Sequence, residues 1–331
     1  IDVNYADALA GTKQIKMLGL SSPYLLISEE NIPMVRGASQ AYGLTFTPGT
    51  WVESIQISKG AGSVSIGFES IAGQINTELK KPMTDIPFFL NLFASENGRY
   101  EMNTHFNHKF NDYWSTGFYI HGNKRSQKFD NNDDGFLDLP LSDQINLMNR
   151  WQYTDFEKGW VSFFSWRYMN DEKLLGTLSY NPKKDRGLKN RWGSEIKTKR
   201  WDASLKIGYV FPEIPYQSFG LQTAYSSHDQ NSYYGLRTYD INQQSFYTNM
   251  IFNSIIGNTL NKFKVGLNYS FDEYIEEVNG DSFNRTDQNV GSFFEFTHDN
   301  NENFSWITGL RMDFHNNLGT FFHPTITLEI C

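Results

Sequence analysis

Alternation of apolar and polar residues runs through most of the chain after about residue 86, and it limits the fold more than any other feature. The clearest apolar positions are Trp201, Ala203, Leu205, Ile207, Tyr209 and Phe211; Phe219, Leu221 and Tyr225; Phe263, Val265, Leu267, Tyr269 and Phe271; and Phe304, Trp306, Leu310, Met312 and Phe314. Successive side chains of a β-strand point to opposite faces, so the pattern predicts strands with one apolar and one polar face. Segments of ~9–11 residues match tilted membrane strands better than soluble ones.

The connectors between these segments alternate between short and long. Short connectors are predicted near residues 111, 154, 212, 256 and 299, and longer ones at 125–140, 171–199, 229–241 and 274–286. Tight turns at one end and long loops at the other are typical of outer-membrane barrels. We therefore predict an all-β-dominated chain whose second part is a transmembrane antiparallel β-barrel. It would supply about 12 of the ~22 strands of a plugged barrel.

A soluble β-sandwich or propeller, with the apolar face as its core, is the alternative interpretation of the same alternation. The chain has 331 residues, a formal net charge of −8 and 16% aromatic residues. The acidic balance argues against a nucleic-acid partner. The only cysteine is Cys331, which excludes a disulfide framework. Aromatic residues near predicted strand ends, such as Trp114, Trp160 and Tyr209, favour the membrane barrel because aromatic girdles lie at its interfaces.

Residues 1–81 have a different composition, with short strand-like pieces separated by Gly, Pro, Ser and Asn. The chain begins without Met and stops within an alternating run, so we expect an interior piece of a longer polypeptide. The stretch WVESIQISKG followed by AGSVSIGFESIAGQIN resembles the end of the plug domain of TonB-dependent outer-membrane receptors. The positions that match the family motif are Lys59, Gly60, Gly67, Glu69, Ile71, Gly73 and Asn76.

The resemblance covers essentially the whole chain and is to receptors of the Bacteroidetes type. It implies a mixed α/β plug remnant at 1–81 and a truncated barrel at 82–331, in the cell outer membrane of a Gram-negative bacterium. It also implies energy-coupled uptake of a scarce nutrient, of the siderophore, haem or cobalamin type. The TonB–ExbB–ExbD complex would supply the energy through a contact segment that lies ahead of these residues.

Other functions stay open at this stage. A passive porin, a glycan-importing receptor and a soluble β-rich binding module are the alternatives. The residues show no local Ser–His–Asp or paired-carboxylate constellation, so we expect no enzyme activity.

Ligand contacts are expected where extracellular loops meet the plug apices, which we place at residues 36–49. The loop sequence SYYGLRTYD adds aromatic faces and a guanidinium group, which suit stacking and cation contacts. The candidates are Arg36, Gln40, Tyr42, Tyr233, Tyr234 and Arg237. The basic segment NPKKDRGLKNR suits either the same ligand or lipopolysaccharide phosphate.

The segment FDNNDDGFLDLP resembles the first part of a calcium loop, with oxygen ligands at alternate positions and a glycine at the bend. The candidate ligands are Asp130, Asn132, Asp134, Phe136 and Asp138. Leu141 stands where an EF-hand has its bidentate glutamate, so only weak binding is expected. The alternative is an Asx-rich turn that caps itself with side-chain hydrogen bonds. No cofactor is otherwise required.

Calorimetry separates these two interpretations of the acidic segment. If it binds calcium, isothermal titration of the full-length protein with millimolar calcium gives a heat that Asp134→Ala removes, because a carboxylate ligand is lost. Asp112→Ala, an acidic residue in a predicted short connector, should leave that heat unchanged. A titration without such a heat supports the self-capped turn.

Overall fold

Antiparallel hairpins make up most of the computed structural model, which describes residues 1–7, 12–67, 69–299 and 304–330. The strands are β1 (Asp2–Asp7), β2 (Thr12–Lys16), β3 (Leu25–Glu29), β4 (Ile32–Pro33), β5 (Val52–Lys59), β6 (Gly73–Leu79), β7 (Phe88–Ala94), β8 (Arg99–Lys109), β9 (Trp114–Arg125), β10 (Leu141–Asp155), β11 (Trp160–Gly176), β12 (Gly193–Val210), β13 (Ser218–Tyr234), β14 (Arg237–Ile256), β15 (Asn258–Val278), β16 (Asp281–Ser282), β17 (Arg285–Asp299), β18 (Phe304–His315) and β19 (Gly319–Ile330). The helices are the 3-10 turns Ser22–Tyr24, Gly37–Gln40, Gly43–Thr45 and Gly49–Trp51, and α1 (Pro182–Asp185). None of the described helices has the length and apolar character needed to cross a membrane.

The large sheet runs from β7 to β19, and each strand pairs with its neighbour in the chain. The two-residue β16 is an addition to β15 that lies off this path. All of these pairs are antiparallel, as in the pair between β12 and β13 or between β14 and β15. Hairpin connections between consecutive strands explain this order, because antiparallel neighbours need only a short turn. The predicted all-β, antiparallel class is confirmed.

Several strands are longer than the ~9–11 residues that alternation predicted. The predicted long connector at 229–241 is wrong: β13 has 17 residues, β14 has 20, and only residues 235 and 236 separate them. The connectors predicted at 171–199 and 274–286 are shortened in the same way. Where the strands continue into the predicted connectors, polar residues occur on both faces. The alternation of apolar and polar residues is therefore lost there, although the backbone hydrogen bonds between the strands continue.

The two faces of the large sheet have opposite polarity. On β18, Arg311 and Asp313 are buried on one face, while Leu310 and Phe314 are exposed on the other. The same division recurs along the sheet. Buried polar residues are Gln144, Asn146, Arg150, Arg167, Arg200, His228, Gln243, Asn249, Asn268, Asp272 and Asn289. We call these two sides the covered face and the exposed face. A soluble sandwich would bury its apolar residues, so this polarity excludes that arrangement for the sheet.

Two aromatic pairs lie on β11 and β12. Near one end, the rings of Trp160 and Tyr209 lie 4.6 Å apart. Tyr168 and Trp201 form a second pair, also 4.6 Å apart, eight residues further along the same two strands. That spacing is about 26 Å along a strand. It is comparable to the ~25 Å apolar band between the aromatic girdles of membrane barrels.

Residues 1–81 form what we call the N-terminal unit. It contains the β1–β2 hairpin and a four-stranded sheet in the order β4-β3-β6-β5, with β3 parallel to β6. Its apolar core contains Met17, Leu25, Ile27, Val35, Ala72 and Ile75. The expected mixed α/β character is wrong, because the helices in its described residues are all single 3-10 turns. Pro23, Gly37, Gly43 and Gly49 interrupt this part of the chain and disfavour longer helices.

A lysine on the exposed face tests whether this face contacts lipid. Leu267 lies within β15 and is 57% exposed, whereas Leu318 lies in the turn before β19 and is 68% exposed. If the exposed face meets lipid tails, Leu267→Lys should lower the free energy of unfolding from bilayers by ~2–4 kcal/mol. Leu318→Lys should change it little, because the turn remains in water. Equal, small effects in chemical denaturation would contradict a lipid-facing sheet.

Candidate ligand-binding site

The turn between β3 and β4 attaches the N-terminal unit to the covered face. Glu30 is buried there, and its Oε1 accepts hydrogen bonds from Arg150 Nη2 and the Leu79 amide, each at 3.0 Å. Lys206 Nζ donates to Glu30 Oε2 at 3.2 Å. The preceding Glu29 pairs with Arg167 at 3.2 Å. Two adjacent carboxylates of one hairpin therefore engage cations on three consecutive strands, β10, β11 and β12.

The backbone of this turn is held in a conformation that few residues adopt. Glu30 and Asn31 have φ angles of 56° and 63°, the left-handed region used by two-residue hairpin turns. The Asn31 amide donates to Asn76 Oδ1 at 2.8 Å, and Ser28 Oγ donates to the same oxygen at 3.0 Å. Asn76, the last residue of the predicted motif, thus positions the turn that carries Glu30.

Burial and charge act in opposite directions on Glu30. Burial raises the pKa of its carboxyl, while the cations Arg150 and Lys206 and the Leu79 amide lower it, and the net pKa is below its ordinary value. The carboxylate is therefore ionised throughout the neutral range. An ionised Glu30 keeps its two cationic partners compensated in an interface with little water.

A second contact joins the motif loop to β17 and β18. Ser63 Oγ donates to Glu295 Oε2 at 2.6 Å, and Arg311 Nη1 donates to the Val64 carbonyl at 3.0 Å. A Cβ on Gly309 would lie 2.8 Å from a methyl of Val64, so glycine allows this approach. The loop is therefore fixed to the sheet by both polar contacts and close packing.

The predicted motif residues lie together, in and around this loop. Lys59 ends β5 and pairs with Gly73 at the start of β6, and the Gly60 amide donates to the Ala72 carbonyl at 2.9 Å. Gly73 has no space for a side chain, since a Cβ there would lie 2.5 Å from Met17 Sδ. Gly67 adopts a φ of 132°, which favours glycine. Glu69 and Ile71 instead line a cavity.

The cavity lined by Glu69 and Ile71 has a volume of about 360 Å³ and lies beside residues 36–40. We call it the larger cavity, because a second cavity at the same segment is smaller. The smaller cavity, of about 280 Å³, is lined by the same segment and shares Gly37 and Gln40 with the larger one. Strands β13, β14, β15, β17 and β18 supply the opposing walls. Together the two cavities form what we call the vestibule, built half from the N-terminal unit and half from the sheet.

Arg36 anchors this segment. It forms ion pairs with the buried Asp272 and, at 3.7 Å, with Glu69. Burial alone would lower its pKa, but Glu69 and Asp272 raise the pKa above its ordinary value, so the guanidinium stays charged. The next residue, Gly37, has a φ of 56°, and a Cβ there would lie 2.6 Å from both Gln243 Oε1 and the Tyr274 hydroxyl. Glycine is therefore required for the segment to approach the wall.

The structure brings some of the predicted ligand contacts together and separates others. Gln40, Tyr42 and Tyr234 line the smaller cavity, where the two tyrosine hydroxyls lie 2.6 Å apart. Tyr233 is buried elsewhere and accepts a hydrogen bond from Tyr180 at 2.9 Å. Arg237 is exposed at the start of β14. Their roles as ligand contacts stay predictions.

Sequence reasoning did not find the wall residues of the vestibule. They include Tyr239, Asp272, Tyr274, Glu276, Arg285, Asp287 and Asn289, which come from three strands. Alternation places their side chains on the polar face, but only the packing of the N-terminal unit selects which polar positions surround residues 36–40. No local signal in the sequence distinguishes them from the other polar residues of that face.

The acidic segment around Asp134 uses its side chains in hydrogen bonds within the loop. Asp130 accepts from the amides of Asp134 and Gly135 at 3.1 and 2.9 Å. Asp138 Oδ2 accepts from the Asn131 amide at 2.8 Å. This is the bonding expected of the Asx-rich turn. Within the described residues, no three His, Cys, Asp or Glu side chains are grouped to hold a metal ion. Calcium binding stays a prediction.

Solved receptor structures share this fold. A mutant of the ferric enterobactin receptor PfeA of Pseudomonas aeruginosa, in complex with enterobactin, matches 98% of this chain and 56% of its own at 14% identity, with a TM-score of 0.76. The copper transporter OprC matches 99% of this chain and 54% of its own at 13% identity, with a TM-score of 0.75. The siderophore receptor PirA of Pseudomonas aeruginosa matches 95% and 52% at 14% identity, with a TM-score of 0.71.

These likenesses show the fold, and at such low identities they show the fold alone. The chain spans about half the length of the solved chains that it matches. No family model and no curated protein matches the sequence.

Removing the charge of Glu30 should loosen the contact between the N-terminal unit and the sheet. Glu30→Gln leaves Arg150 without its carboxylate, which we expect to lower the free energy of unfolding of the full-length protein by about 3 kcal/mol. The pKa of Glu30 is lower in the folded protein than in the unfolded chain, where it is near 4.5. The stability that the Glu30 carboxylate contributes is therefore fully present above pH 4.5 and is lost as the pH falls through the folded pKa.

Denaturant titrations in detergent at several pH values measure this effect. The stabilities of the wild type and Glu30→Gln should converge as the pH falls below 4.5. Glu96→Gln, at an exposed glutamate in the turn between β7 and β8, is the matched control and should match the wild type throughout. A constant difference between wild type and Glu30→Gln at every pH would contradict the ionic role of Glu30.

Proposed function

We propose that the chain is part of a TonB-dependent outer-membrane receptor that takes up a scarce nutrient as a metal chelate, of the siderophore, haem or cobalamin type. In this proposal residues 1–81 are the plug and residues 82–331 are barrel wall, in the outer membrane of a Gram-negative bacterium. The TonB–ExbB–ExbD complex would supply the energy for transport. The plug motif at residues 59–76 and the fold shared with siderophore receptors and a copper transporter support this proposal.

The polarity of the large sheet is the observation that carries the proposal. Its exposed face bears large apolar side chains such as Leu267, Phe294 and Leu310, which are costly in water and stable against lipid tails. Its covered face bears buried arginines and carboxylates. A strand sheet with this division suits a membrane wall around a polar interior.

The contact between the N-terminal unit and the sheet suits a plug that has to be displaced. The described contacts include ion pairs and hydrogen bonds, such as those from Arg150 to Glu30 and from Arg311 to Val64, beside two apolar clusters centred on Phe46 and Trp51. When the polar part of the interface opens, water can replace its partners, so opening that part costs less than it would for an apolar core of the same area. Mechanical work from an energised partner would then separate contacts whose polar groups water can satisfy.

The vestibule is where a ligand would contact both moving and fixed parts. Residues 36–42 belong to the proposed plug, and Asp272, Tyr274 and Arg285 belong to the proposed wall. A ligand between the proposed plug and the proposed wall would contact residues 36–42, which closely follow the turn that carries Glu30. Binding in the vestibule would therefore be sensed close to the main attachment of the plug.

Energy dependence separates this proposal from a passive porin. Cells that express the full-length protein as their only receptor should accumulate a bound iron or cobalt chelate, and a protonophore or deletion of ExbB–ExbD should abolish the accumulation. Binding of the chelate to the cell surface should persist under both treatments. Accumulation that continues without a proton-motive force would indicate a porin, and uptake of oligosaccharides alone would indicate a glycan importer.

A further inference from the structure

The charged groups of the vestibule are unevenly balanced. Among its described lining residues there are two guanidinium groups and four carboxylates, namely Arg36, Arg285, Glu69, Asp272, Glu276 and Asp287. The lining therefore has an excess of negative charge. The remaining polar lining residues include tyrosine hydroxyls, which can donate or accept hydrogen bonds.

Each of the two arginines is already compensated by two carboxylates. Arg36 pairs with Asp272 and Glu69, and Arg285 pairs with Glu276 at 3.1 Å and Asp287 at 3.6 Å. Arg285 also lies over the Tyr274 ring, with its guanidinium carbon 3.8 Å from the ring centre. The charge of each cation is therefore already compensated by carboxylates, although Arg285, whose side chain is 47% exposed, keeps further N–H donors.

The carboxylates, in contrast, retain capacity to accept hydrogen bonds. Glu69 is 37% exposed in its side chain, and its ion pair with Arg36 is long, at 3.7 Å. Asp287 is likewise partly exposed, and its closest contact is a hydrogen bond of 2.8 Å from Asn317. A carboxylate can accept about four hydrogen bonds, so both retain open acceptor positions on the cavity side.

A buried acceptor without a partner points the same way. Asn289 lines the larger cavity, is 3% exposed, and donates through Nδ2 to Asp313 at 2.7 Å. Because the Asp313 carboxylate accepts that bond, the other amide atom of Asn289 must be the oxygen. This Oδ1 has no hydrogen-bond partner in the described structure. A buried amide oxygen in this state can accept a further hydrogen bond, which water or a ligand can donate.

We propose that the vestibule selects a chelate that carries no net negative charge and presents hydrogen-bond donors, such as ammonium, amide or hydroxyl groups. The inference rests on the proposed function and specifies its substrate class. Glu69 and Asp287 are the exposed acceptors that meet those donors. A trianionic chelate would face the excess carboxylates and two arginines whose charges are already compensated, and like charges held close together are strongly unfavourable.

Three chelates of different charge test this selection on the full-length protein in detergent. The probes are a ferric trihydroxamate with a protonated amine, cobalamin, which is neutral, and a trianionic ferric tricatecholate. The cationic probe should bind about tenfold or more tightly than the tricatecholate. Its affinity should fall as salt rises, because ions screen the carboxylates. Tryptophan-fluorescence quenching or calorimetry measures both effects.

Two variants assign the selection to the vestibule. Glu69→Gln removes one carboxylate and leaves Arg36 paired with Asp272 alone, so the preference for the cationic over the anionic probe should shrink by roughly fivefold. Glu53→Gln is the matched control, because Glu53 also belongs to the N-terminal unit, is 49% exposed and pairs with one cation, Lys81, at 3.5 Å. That variant should retain the wild-type preference.

The outcomes separate this inference from the proposed function. Tighter binding of the tricatecholate, failure of all three probes to bind, or an unchanged preference in Glu69→Gln would overturn the inference. If the tricatecholate binds best and its uptake still requires the proton-motive force, the proposed function stands and only the charge selection fails. Uptake that is independent of the proton-motive force refutes the proposed function whatever the order of affinities.

Discussion

The ionic contact between Glu30 and the cations of the large sheet is the interaction on which the rest of the structure depends. The covered face carries charged residues, and a buried charge without a partner costs several kcal/mol, on the order of 3–5. Glu30 compensates Arg150 and Lys206, Glu29 compensates Arg167, and Asp272 compensates Arg36. The N-terminal unit and the sheet therefore complete each other, because each supplies the counter-charges that the other requires.

This arrangement links the exposed face of the sheet to the vestibule. Large apolar side chains on the exposed face leave many polar residues on the covered face, where they are buried beside the apolar clusters centred on Phe46 and Trp51. The buried polar residues need specific partners, and those partners help to fix the position of the 36–42 segment. The vestibule is a consequence, since Arg36 and Gly37 lie against β14 and β15 only when the two units are paired.

Most of the predicted residues in the motif at 59–76 make contacts within the N-terminal unit and do not line the larger cavity. Its glycines permit the left-handed backbone and the close approach of the loop, and Asn76 holds the turn that carries Glu30. Glu69 and Ile71 are different, because their side chains line the larger cavity. One stretch of sequence thus connects the fold of the N-terminal unit, its attachment to the sheet and the floor of the vestibule.

The sequence alone determined the antiparallel strands and the polarity of their faces, because side-chain direction in a strand follows from a period of two. Strand lengths were underestimated for β13 and β14, where both faces are polar and backbone pairing leaves no trace in the pattern. Only the tertiary structure decided which polar residues meet. Arg36 and Asp272 are 236 positions apart, and the positions of such partners depend on how the N-terminal unit packs against the sheet.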